Sequence, residues 1–71
     1  MPKLPALTPD DLISILLQNG FEFDHQRGSH RVYYNLQTGR RVIVPYHKKD
    51  LPKGTLLSIL KQAGLREIFE D

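Results

Sequence analysis

Three runs of β-forming residues, Phe21 to His25, His30 to Asn35 and Arg40 to Tyr46, follow one another with four residues between each pair. Parallel strands need a crossover of about a dozen residues or more, so connections this short fit only an antiparallel meander. Each connection, Gln26-Arg27-Gly28-Ser29 and Leu36-Gln37-Thr38-Gly39, contains a glycine, the residue that supplies positive φ in tight turns. Phe21-Glu22-Phe23-Asp24-His25 alternates apolar and polar, as a half-buried strand does. Pro45 has no N–H for a ladder, so it marks the end of the third strand or an edge.

A helical pattern stands on either side of the meander. Thr8 suits an N-cap, Pro9 the first helical position, and Asp10 and Asp11 the positive end of the helix dipole. Leu12, Ile13, Leu16 and Leu17 then form an apolar stripe, with Leu7 placed to staple against it. Asn19-Gly20 stops the helix, which is predicted over residues 9–19. A second helix is predicted from Lys53 or Gly54 to Ala63. Its Leu56, Ile59, Leu60 and Ala63 recur at i, i+3, i+4 and i+7, with Leu57 beside them, and Gly64-Leu65 reads as a Schellman ending. Residues 66–71 are expected as a tail, or as a short turn in which Ile68 and Phe69 cover the core.

The predicted fold is therefore α+β in the order α-β-β-β-α. A three-stranded antiparallel sheet carries both helices on one face and leaves the other open. The 71 residues form one domain, 1–71, with one small core. A chain of about this size buries only about 60% of its unfolded surface. No cysteine is present, which removes disulfides and thiolate metal sites and suits a reducing compartment. No C-x-x-C or H-E-x-x-H spacing accompanies the three histidines, so no metal or other cofactor is expected. No stretch has the apolar length of a signal peptide or membrane helix, which leads to a cytoplasmic expectation with no membrane partner.

The net charge is only +2, but it is unevenly spread. Between Gln26 and Lys53 stand Arg27, Arg31, Arg40, Arg41, Lys48, Lys49 and Lys53 against one acid, Asp50, a net of +6. The other acids lie toward the two ends. A concentrated positive field favours a polyanion, with RNA or DNA first, although a plain solvated basic face has the same composition.

The element order matches the double-stranded RNA-binding fold. The sequence also resembles the HicA family of toxins. The resemblance rests on Gly20-Phe21, Arg27-Gly28-Ser29-His30, Val44-Pro45-Tyr46-His47, and Gly54-Thr55-Leu56 through Ile59-Leu60-Lys61-Gln62-Ala63-Gly64-Leu65. Each piece is unspecific alone; their order and spacing over residues 10–65 carry the signal. The resemblance implies metal-free cleavage of mRNA by the histidine of the Gly-Ser-His turn, which is His30 here, and neutralisation by a HicB antitoxin.

The chemistry of an imidazole suits that role. Metal-free cleavage uses the neighbouring 2′-hydroxyl as nucleophile and needs a proton acceptor or donor that works near neutral pH. Gly28 allows close backbone approach to a phosphate, and the N–H groups of Gly28, Ser29 and His30 can cradle an anion. Arg27 and Arg31 flank the turn, and both are expected to bind the RNA and stabilise charge building on the scissile phosphate. His47 to Lys53 reads as a loop, and its Lys48, Lys49 and Lys53 stand just before the second helix, where free N–H groups favour phosphate. Thr55 serves there equally well as a cap. Of the tyrosines, Tyr34 is expected in the core, which leaves Tyr33 and Tyr46 to stack on bases; Tyr33, Arg41 and Ile43 are expected on the open face. His25 reads as structural or incidental. Alternation puts His30 on the side of Val32 and Tyr34, so a core on that side would leave His30 beyond the packed layer. Two other readings stay open: an RNA-binding module without catalysis, and an adaptor that docks a protein on its open sheet face.

Overall fold

Thr8 closes a reciprocal box at the start of the first helix. Its Oγ1 accepts from the Asp11 N–H at 3.2 Å, and its own N–H donates to Asp11 Oδ2 at 3.0 Å. Asp11 thus serves as a capping partner as well as a charge near the dipole. From this start the computed structural model, which describes residues 6–69, runs through α1 (Pro9–Gln18), β1 (Phe21–Arg27), β2 (His30–Asn35), β3 (Arg41–Pro45) and α2 (Lys53–Ala63) to a 3-10 turn at Arg66–Phe69. This is the expected α-β-β-β-α order. The expected cover of the core by Ile68 and Phe69 concerns side chains outside the described residues.

The three strands form one antiparallel sheet with β2 in the middle. Both helices pack on the same face. Leu12, Ile13 and Leu16 of α1 and Leu56, Ile59, Leu60 and Ala63 of α2 meet Phe21, Tyr33, Val42 and Val44 of the sheet. Each large side chain fully buried there contributes about 1.5–3 kcal/mol. Leu51, read from the sequence as part of a loop, belongs to this core, and its N–H donates to the Leu7 carbonyl at 2.8 Å. Leu17 does not belong to it: it lies at the margin of the stripe and is 52% exposed.

The face of β2 that meets the helices corrects one expectation. Tyr33 is the core tyrosine, 2% exposed, while Tyr34 is half-buried on the other side. Tyr33 is therefore absent from the open face and cannot stack on bases. Val32-Tyr33-Tyr34 is apolar at both parities, so alternation within β2 cannot choose a face. The choice is made by its partners, since Tyr33 pairs with Val42 and Arg31 with Val44, both valines of the core. Residues 31, 33 and 35 thus face the helices, and 30, 32 and 34 face away.

Long-range polar contacts fix the ends of the elements. Asn35 is buried; its Oδ1 accepts from the N–H groups of Gln37 and Thr38, and its Nδ2 donates to the Asn19 carbonyl at 3.1 Å. One side chain thus ties the end of α1 to the β2–β3 turn. At the far end of α2, Gly64 at φ 72 accompanies a Leu65 N–H bond to the Leu60 carbonyl, the expected Schellman closure. Arg40 donates to the Gln62 carbonyl at 3.1 Å, a cation at the negative end of the helix.

Candidate active site

The hairpin between β1 and β2 is tighter than the sequence suggests. Gln26 and Arg27 pair with Arg31 and His30, so β1 extends to Arg27 and the loop is only Gly28-Ser29. Gly28 has φ 60, and among the described residues no non-glycine has positive φ, which matches a II′ turn with glycine at its first central position. A Cβ on Gly28 would meet open space, so the backbone angle, not crowding, demands glycine. The Gly28 carbonyl accepts from Gln26 Nε2 at 3.0 Å, and the Ser29 carbonyl from the Tyr46 N–H at 2.6 Å.

His30 opens β2 and is exposed on the face that the helices leave uncovered. Its cross-strand neighbours are Arg27 and Pro45. A shallow concavity of about 380 Å³ on this face is lined by His25, Arg27, His30, Val32, Arg41 and Ile43. Val32 forms its floor; it is 6% exposed although it lies outside the main core. His30 therefore needs no position beyond the packed layer, because its side of the strand is not the core side.

Arg31 points the other way. Its guanidinium lies 3.7 Å from the centroid of the Tyr46 ring and its Nε donates to Gln26 Oε1 at 3.3 Å. Tyr46, expected to be free for stacking on bases, packs against the core, and its hydroxyl donates to Asp10 Oδ1 at 2.9 Å. That bond, with the negative charge of Asp10 and some burial, raises the phenol above its ordinary pKa.

Lys48 and Lys49 are exposed in the segment after Tyr46, and Lys53 is exposed at the first position of α2. The Tyr46–Ser29 bond and the His30–Pro45 pair bring the start of this lysine segment alongside the Gly28-Ser29 loop. The start of α2 has Pro52 at the cap and no side-chain capping bond, so Thr55 does not cap it. Ile43 and Pro45 face Gly54 and Thr55 across a groove between the edge of β3 and α2.

A β-bulge between Phe23 and His25 was not foreseen from the sequence. It turns His25 onto the uncovered face opposite Val32, into the concavity that His30 lines. There His25 Nδ1 lies 2.7 Å from Asp24 Oδ2, and the same oxygen accepts from Arg41 Nη1 at 3.0 Å. The His25 bond is the largest influence on Asp24 and, with the bond and charge of Arg41, holds its carboxyl below the ordinary value against partial desolvation. Arg41 also stands 5.1 Å from the Tyr34 ring centroid. Among the described residues, no three histidine, aspartate or glutamate side chains gather to hold a metal, and no helix is long and apolar enough to cross a membrane.

Fold and face together define a class: a small basic α+β protein whose bare sheet surface carries imidazole and guanidinium groups beside a tight glycine turn. Residues 9–65 match the family described as the HicA toxin of bacterial toxin–antitoxin systems, and the chain belongs to that family. No curated protein matches the chain. Membership makes it a toxin of that type and implies an antitoxin as its partner.

Proposed function

We propose that this single-domain toxin is a metal-independent endoribonuclease of the cytoplasm that cuts mRNA with His30 and is neutralised by a HicB-like antitoxin. The observation that carries this reading is the position of His30. It sits at the mouth of a two-residue turn, on the uncovered sheet face, with Arg27 across from it and the lysine segment alongside. His30 exchanges a proton with the reacting ribose or the leaving oxygen, a service worth roughly 10²–10⁴-fold in rate. Arg27 stabilises charge building on the phosphate. Gly28, Ser29, Lys48, Lys49 and Lys53 hold the RNA backbone, and Arg31 serves the site from behind by bracing the turn through Gln26 and Tyr46.

The test is to incubate the protein and a His30→Ala variant with single-stranded RNA in a chelator and to analyse the fragment ends. The expected result is cleavage by the unaltered protein, leaving 2′,3′-cyclic phosphate and 5′-hydroxyl ends, and none by the variant, with circular dichroism unchanged. Binding without cleavage would reduce the protein to an RNA-binding module. Equal cleavage by both would remove His30 from the chemistry.

A further inference from the structure

In-line displacement at a phosphate sets the attacking and leaving oxygens on opposite sides of phosphorus. One imidazole on one side of the phosphate serves one of them well, and a second proton carrier serves the other. The concavity that His30 lines contains a candidate. His25 shares the face because the bulge at Phe23–His25 shifts the register; without that extra residue it would point, like Phe21 and Tyr33, toward the helices. His25 pairs with Val32 and His30 is two residues before Val32, so the two histidines are diagonal neighbours. Such positions lie about 7–8 Å apart at the backbone, within mutual reach of long side chains. His47 does not line this concavity.

His25 is also oriented. Its Nδ1 meets Asp24 Oδ2 at 2.7 Å, and Arg41 holds the same oxygen at 3.0 Å. An ionised carboxylate only accepts, so the hydrogen is on Nδ1 and Nε2 is left as the working nitrogen. The charged and titratable groups on its face are Glu22, Asp24 and Arg27 on β1, His30 and Tyr34 on β2, and Arg41 on β3; α1 and α2 lie on the opposite face.

We propose that His25 is a second catalytic residue, the proton-transfer partner of His30 across the scissile phosphate, with Asp24 as its positioning residue. The inference rests on the endoribonuclease reading given above. In the step, the 2′-oxygen bonds to phosphorus as its proton passes to one imidazole. The bond from phosphorus to the 5′-oxygen breaks as that oxygen takes a proton from the other. The products are a 2′,3′-cyclic phosphate and a 5′-hydroxyl, and proton exchange with water resets the pair.

The test uses the full chain and a single-stranded RNA oligonucleotide, with single-turnover rates measured from pH 5 to 9. The unaltered protein is expected to give a bell-shaped profile. His25→Ala and His25→Gln are expected to lose about 100-fold at the optimum and one limb of the bell. Their affinity for the all-2′-deoxy oligonucleotide stays unchanged, and their circular dichroism remains that of the folded protein. Asp24→Asn is expected to lose less rate. Wild-type rates for both His25 variants overturn the inference, and so does a slower reaction with an unchanged profile. An inactive natural protein, or an active His30→Ala variant, sinks the underlying reading and the inference with it. An inactive His30→Ala beside fully active His25 variants sinks the inference alone.

Discussion

Arg31 and His30 are neighbours in the chain and face opposite sides of the sheet, His30 in the open concavity and Arg31 stacked on Tyr46. Of the two arginines beside the turn, the one on the face of His30 is its cross-strand partner Arg27. The two arginines that flank the Gly-Ser-His turn in sequence therefore answer to different tests. Arg27→Ala is expected to weaken RNA cleavage about tenfold or more, with no change in melting temperature. Arg31→Ala gives up a cation–π contact worth about 0.5–1 kcal/mol, so its melting temperature falls by about 2–8 °C. Calorimetry and a gel assay on both variants check the split, and the reverse pattern would refute it.

Asn35 is a structural joint far from that surface. Asn35→Ala leaves the N–H groups of Gln37 and Thr38 and the Asn19 carbonyl without their partner. The expected loss is about 2–3 kcal/mol, read as a lower urea midpoint. Equal midpoints for the two proteins would show that the joint carries no weight.

In the proposed RNA interface the lysine segment contributes charge, not selection. Lys48→Ala, Lys49→Ala and Lys53→Ala combined are expected to weaken RNA binding for every sequence tested. They flatten the plot of log affinity against log salt by about 0.7 per lysine, as single strands require. The bonds cut stay the same. An unchanged slope would remove these lysines from the interface.

An antitoxin that covers the proposed site buries its positive surface. Amide exchange of the complex with a HicB-like partner is expected to slow at residues 27–31 and 47–54 relative to the free toxin. Equal exchange in those segments would mean that inhibition acts elsewhere.

Asp24 gives the acid limb of stability a defined sign. Its carboxyl is held below the ordinary 3.8, chiefly by the His25 bond. A lowered folded pKa stabilises the protein above the unfolded value, and that contribution disappears as pH falls through the folded one. Asp24→Asn is therefore expected to show a shallower fall in urea midpoint from pH 4 downward. A steeper fall would contradict the assignment.

What was legible in the sequence was local. Thr8-Pro9, Gly64-Leu65 and the stripe of Leu56, Ile59, Leu60 and Ala63 act within a few residues of themselves, and each appears in the structure as read. The strand order followed from connections too short for anything but hairpins. What escaped depends on partners distant in the chain. The face of β2 was settled by Val42 and Val44, because Val32, Tyr33 and Tyr34 are all apolar. Leu51 looked like loop until Leu7 came to meet it. The bulge at Asp24 leaves no mark in the alternation of Phe21 to His25, so the convergence of His25 with His30 was invisible. The opposed directions of Arg27 and Arg31 depended on the same register.

The Gly28-Ser29 turn has a consequence for control. Two residues leave no slack, so His30 moves only as the paired strands move. Withdrawing it by a rearrangement within the protein would mean unzipping the hairpin. A chain built this way has its working geometry ready-made from the moment it folds, with no resting posture to fall back on. Restraint is then a question of supply: how many copies of the toxin exist, and how many copies of a partner are there to meet them.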